Sequence, residues 1–164
     1  MSNKIENISK TEETNEIKLC SYSSDKAFNK VVTDFEKQLG RFDETAILLS
    51  SNLPKMVKSM EGVSGLMIIS TLEMGKLLPA LVSSSIEAKQ YLVGNPSIAS
   101  TMAQYNTLAA LFAPPRVLIY TKDGKTCISY DLPSTSFGKL SSAIDPIAKD
   151  LDQKFEKLAK TALA

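Results

Sequence analysis

Four-residue spacings of serine and lysine are the first places where this chain could do chemistry. Ser23-x-x-Lys26 and Ser136-x-x-Lys139 each match the opening element of a serine–lysine acyl-transfer site. In such a site the amine is the base that activates the hydroxyl. Neither match is accompanied by the supporting motifs, so neither is assigned a catalytic role. Glu73 and Glu87 fall near the ends of expected strands, and nothing in the spacing pairs them. The sequence contains no histidine. That removes Ser–His and Cys–His nucleophile pairs, imidazole bases and most zinc sites together. Catalysis here would rest on carboxylate, Lys, Tyr or bare thiol groups. No phosphate-cradling glycine loop, nucleophile elbow or metal-ligand cluster is present, so no catalytic residue, metal or cofactor is assigned.

A second constellation is better defined. Asp123-Gly124 separates two β-rich runs, Arg116–Thr121 and Thr126–Asp131. Asp-Gly accepts the positive φ angles of a two-residue type I′ turn. That turn sets Lys122 opposite Lys125, Tyr120 opposite Cys127, Leu118 opposite Ser129 and Arg116 opposite Asp131. Alternation then sends Val117, Ile119, Ile128 and Tyr130 to a core face. Arg116, Leu118, Tyr120, Cys127, Ser129 and Asp131 share the other. An apolar wall with a few convergent polar groups suits a small molecule. Asn95, in Gly94-Asn95-Pro96, adds the free amides of a helix start, which attract an anionic or carbonyl group. The candidate ligand-binding set is therefore Asn95, Arg116, Tyr120, Ser129 and Asp131. The competing reading makes Arg116–Asp131 a structural ion pair and Asn95 a helix cap.

The elements that would position these groups follow from periodicity. Residues 1–15 are polar without a repeating apolar face and read as a disordered leader, with one α+β domain over 16–164. Ile17–Tyr22 alternates as a first strand. Ser24 or Asp25 would cap a helix carrying Phe28, Val31, Val32, Phe35 and Leu39, ended by Gly40. Asp43–Ser50 and Pro54–Glu61 read as short helices split by Asn52-Leu53-Pro54. Leu66–Ile69 reads as a buried strand, and Thr71–Leu81 as a turn and short helix. Ser83–Ser85 is a loop before a strand centred on Tyr91-Leu92-Val93. The helix after Pro96 puts Ile98, Met102 and Tyr105 on one side. Pro133–Ser142 lacks period and reads as a loop. Asp145-Pro146 opens a long helix with Ile147, Leu151, Phe155, Leu158 and Ala162 on one face.

Composition narrows the function further. The chain has 164 residues, 43% hydrophobic and 23% charged, with a net charge of +1. No basic field points to nucleic acid, and no apolar run approaches membrane-spanning length. Two distant cysteines, Cys20 and Cys127, form no disulfide framework. A cytoplasmic protein, binding neither nucleic acid nor membrane, is expected.

Two stretches carry a family resemblance. Gln90-Tyr91-Leu92-Val93-Gly94-Asn95-Pro96, with Ile98-Ala99 and Met102, resembles the domain of unknown function 302 family. So does Ala113-Pro114-Pro115-Arg116-Val117-Leu118-Ile119-Tyr120, followed by Ser129-Tyr130-Asp131-Leu132-Pro133-Ser134. The likeness extends more loosely through Gly65–Leu78 and into Leu151-Asp152. It implies a TATA-binding-protein-like fold in the order strand, helix, four strands, helix, and a homodimer. No activity is established for that family. Relative to its shorter members, Arg41–Val63 is an addition. Members often carry an Asp-His pair where this chain has Leu72-Glu73-Met74, so any role of that histidine is absent here.

The expected architecture is an antiparallel sheet of about five strands. The first helix and the long C-terminal helix cover one face, and extra short helices follow the first. The expected function is a binding module for a small apolar or anionic ligand, or for a protein partner. A histidine-free enzyme using Tyr, Arg and carboxylate groups of the hairpin face is the alternative.

Overall fold

The computed structural model describes residues 8–82 and 86–164. Residues 1–7 of the expected leader and the expected Ser83–Ser85 loop lie outside the described residues. Residues 8–18 contain neither helix nor strand and are exposed.

The chain then runs β1 (Leu19–Ser24), α1 (Phe28–Glu36), β2 (Gly40–Arg41), α2 (Glu44–Leu49), α3 (Leu53–Ser59), β3 (Met67–Leu72) and α4 (Met74–Val82). It continues β4 (Ala88–Gly94), α5 (Pro96–Tyr105), α6 (Ala109–Phe112), β5 (Arg116–Lys122), β6 (Lys125–Asp131), α7 (Pro133–Phe137) and α8 (Asp145–Leu163). The six strands lie in the order β1-β6-β5-β4-β3-β2.

This is an α+β fold, but the sheet differs from expectation: among the described residues it has six strands and is mixed. The added strand is β2, parallel to β3. Two backbone bonds hold it, from Gly40 N to Leu66 O and from Phe42 N to Ile68 O, each 3.0 Å long. A two-residue strand of this kind has no period for the sequence to display. The remaining pairings are antiparallel.

The β5–β6 hairpin has the expected register, Tyr120 opposite Cys127 and Leu118 opposite Ser129. Asp123 (φ 52°) and Gly124 (φ 75°) both occupy the left-handed region that a type I′ turn requires. Val117, Ile119, Ile128 and Tyr130 are buried. They meet Val31 and Phe35 of α1 and Leu151, Phe155 and Leu158 of α8, which pack together on that face. Among the described residues no helix packs over β5 and β6 on the opposite face to a comparable extent.

Local caps explain several boundaries. Asp43 Oδ1 accepts from Ala46 N at 3.0 Å and starts α2, and Asn52 Oδ1 accepts from Lys55 N at 3.1 Å and starts α3. Neither Ser24 nor Asp25 caps α1; Ala27 stands at its N-cap with no side-chain bond. Pro133–Phe137, expected as loop, is a short helix, its Phe137 1% exposed. Tyr105 is 56% exposed and does not share the buried side of Met102.

Candidate functional site

The hairpin's open face brings together four of the five candidate residues. Leu118, Tyr120 and Ser129 project from it, joined by Leu19 of β1 and Gln90 of β4 around a shallow hollow of about 330 Å³. Ser129 is buried, its Oγ 2.7 Å from Ser21 Oγ and 3.2 Å from Tyr120 Oη. These three hydroxyls form a chain that fixes the Tyr120 ring edge over the sheet. At the end of the same strands Arg116 Nη2 donates to Asp131 Oδ2 at 3.4 Å. The pair is open to solvent, with side-chain exposures of 67% and 37%.

Arg116 and Asp131 also form the rim of a larger hollow, about 430 Å³. Its apolar side is built by Leu92, Phe112, Pro114 and Phe137. One exposed ion pair therefore borders both a greasy hollow and the hydroxyl chain.

Asn95 is elsewhere. It caps α5 as expected, its Oδ1 accepting from Ser97 N at 2.9 Å. Its amide nitrogen donates to Glu61 Oε1 at 2.8 Å and to Gly65 O at 2.9 Å. The side chain is buried and three of its hydrogen-bonding positions are used, so it ties the turn before α5 to the segment entering β3. Asn95 lines a third hollow of about 280 Å³, among Ile98, Ala99, Met102 and Ala103 of α5. The segment Ala113–Pro114–Pro115, with a cis bond between Ala113 and Pro114, forms part of the wall of this hollow and of the Arg116 hollow.

Neither serine–lysine spacing produces a reactive pair. Lys26 Nζ lies 2.9 Å from Asp34 Oδ2 and donates to Ala162 O at 2.9 Å. Ser136 is buried in α7 while Lys139 is exposed. Among the described residues no cluster of three or more metal-ligating side chains occurs, and no helix is long and apolar enough to cross a membrane.

One polar cluster had no counterpart in the sequence reading. Glu36 Oε1 accepts from Lys89 Nζ and Tyr91 Oη, both at 2.9 Å, and Glu36 Oε2 accepts from Arg41 at 2.7 Å. Lys89 also pairs with Glu73 at 2.8 Å. Burial pushes the Glu36 carboxyl up, but the bonds from Lys89 and Tyr91 outweigh it and hold its pKa below the ordinary value. Burial pushes Lys89 down, and its two carboxylate partners outweigh that and raise it. Burial first, then Glu36, keeps the Tyr91 phenol protonated far above neutral pH. The shifts favour charged Glu36, charged Lys89 and neutral Tyr91, and move none of the three toward neutral pH. Lys89 and Tyr91 alternate onto one face of β4, but their partner Glu36 lies more than fifty residues earlier, out of reach of local reading.

Comparison with known proteins gives the following. The model of the family described as Domain of unknown function DUF302 matches residues 52–162, well over half of the chain. A solved structure, the crystal structure of uncharacterized conserved protein DUF302 from Bacillus stearothermophilus, superposes with a TM-score of 0.66. That likeness covers 88% of this chain and 97% of the other at 16% sequence identity, and it is a likeness of fold. No curated protein matches the sequence.

Proposed function

The chain belongs to the domain of unknown function DUF302 family, and from that premise we propose that it is a binding module for a small amphipathic anion, held at the Arg116 end of the hairpin. One observation carries the reading: a solvent-open, weakly held arginine stands at the rim of a hollow of about 430 Å³ with one apolar wall. An exposed ion pair contributes roughly 0.2–1 kcal/mol, so exchanging Asp131 for a ligand carboxylate costs little. A carboxylate in bidentate contact with guanidinium recovers more than a single 3.4 Å bond supplies. The ligand's apolar body rests on Leu92, Phe112 and Pro114. Tyr120 and Ser129 offer hydroxyls further along the face, and Asn95 contributes by holding the turn behind the shared prolyl wall.

The test is calorimetric titration with octanoate. Arg116→Ala should weaken binding about tenfold or more, a change of about 1.4 kcal/mol, with the fold intact by circular dichroism. Octanoate binding that is unaffected by Arg116→Ala and by Tyr120→Ala would remove the proposal. Native mass spectrometry of freshly purified protein provides the natural ligand's mass.

The same proposal includes a homodimer through the sheet. Among the described residues β1 pairs with β6 and with no other strand, and Leu19 at this sheet edge is 69% exposed. It also takes residues 16–164 as one domain in a reducing, cytoplasmic setting, consistent with the free thiols of Cys20 and Cys127. The proposal further takes the fold as TATA-binding-protein-like, a reading supported by the element order β1, α1, β3–β6, α8 once β2 and the short helices are set aside.

A further inference from the structure

We propose that the 280 Å³ hollow beneath α5 is a second binding site, specific for a compact uncharged apolar molecule. Its origin is in residue size. Ala99 and Ala103 of α5, with Ala110 and Ala113 beyond it, present only methyl groups where larger side chains would close the space. Ile98, Met102 and Val93 form its apolar lining, and Phe42, from the turn after β2, closes one side.

Charge decides the ligand class. Among the described residues no Asp, Glu, Lys or Arg lines the hollow. The one buried polar group, Asn95, is already committed to Ser97, Glu61 and Gly65. It even occupies the Ser97 amide that a helix start would otherwise present to an anion. A carboxylate placed here would lose part of its hydration and gain no charged partner. Ser100 leaves one hydroxyl at the exposed side, enough to orient a single hydrogen-bonding group on the guest. Size sets the other limit. A dry apolar cavity of about 150 Å³ accepts benzene, so this hollow of about 280 Å³ admits a fused two-ring body or a branched chain of similar bulk.

The experiment uses the full chain with indole and indole-3-acetate, followed through the methyl resonances of Ile98 and Met102. Indole should shift both methyls saturably, and indole-3-acetate should do so about tenfold more weakly. Ala103→Phe, which fills the hollow, should abolish the indole shifts, while Arg116→Ala leaves indole affinity within about twofold. Should Ala103→Phe fail to fold, Ala99→Leu serves the same purpose. The inference is overturned if indole up to its solubility limit leaves both methyls unmoved. It is equally overturned if the shifts survive each filling variant that folds, or if indole-3-acetate binds there as well as indole. Octanoate binding at Arg116 is read in a separate titration, so either proposal fails without the other.

Discussion

Replacing Tyr91 with Phe removes a single oxygen and should cost about 1.5 kcal/mol of stability at pH 7. Tyr91 is fully buried, and its ring packs on Phe35 with centroids 5.2 Å apart, contacts that phenylalanine preserves. What disappears is the bond from Tyr91 Oη to Glu36 Oε1. A hydrogen bond to a charged group contributes about 1.5–3 kcal/mol. The lower end applies because Glu36 keeps Lys89 and Arg41 and is not stranded. The pH dependence separates this bond from simple packing loss. Glu36 has a folded-state pKa below its ordinary 4.5. Its contribution is therefore complete above the unfolded value and is lost as pH falls through the folded one. The penalty of Tyr91→Phe should accordingly shrink on acidification below 4.5. Urea denaturation followed by circular dichroism reads this directly. With a slope of about 2 kcal/mol/M, the midpoint should fall by about 0.7 M at neutral pH and by less in acid. A variant as stable as the parent at pH 7, or one equally penalised in neutral and acid conditions, would show that the phenol does not serve a charged carboxylate.

Other expectations follow from single contacts. Gly40→Ala should cost about 3 kcal/mol or prevent folding. A Cβ there would stand 1.6 Å from Met60 O and 2.8 Å from Gly62 N, and a thermal melt matching the parent would contradict that approach. Arg116→Ala should change stability by about 1 kcal/mol at most, because its partner is exposed; a loss beyond about 2 kcal/mol in urea would make the pair structural. Light scattering at micromolar concentration should give about twice the 17.9 kDa chain mass; a purely monomeric mass would dispose of the sheet-mediated homodimer.

The parts of the fold legible in the sequence were those fixed by neighbours in the chain. The hairpin register follows from one Asp-Gly turn, and with it the grouping of Arg116, Tyr120, Ser129 and Asp131. Asn95 as a cap, and the α2–α3 break at Asn52-Leu53-Pro54, are equally local. Tertiary contact decided what was missed. β2 is two residues held by bonds to Leu66 and Ile68, and α7 is a single turn stabilised by burying Phe137. The second bond of Asn95 reaches Glu61, 34 residues away, which no cap motif reveals. The hollow under α5 was missed for a different reason. It consists of what four alanines leave empty, and unoccupied space has no residue type of its own.

The prolyl segment Ala113–Pro115 has a thermodynamic meaning beyond its place in the architecture. Because it belongs to the walls of both hollows, any guest that displaces it on one side alters the shape offered on the other. Any coupling that arose in this way would be reciprocal: the factor by which a neutral guest changed the affinity for an anion would equal the factor by which the anion changed the affinity for that guest. A molecule that never touches Arg116 would then set how strongly Arg116 holds its own. Backbone φ fixed at two consecutive prolines makes the segment stiff. A heterotropic effector relationship would then require no domain motion, only a wall shared by two pockets.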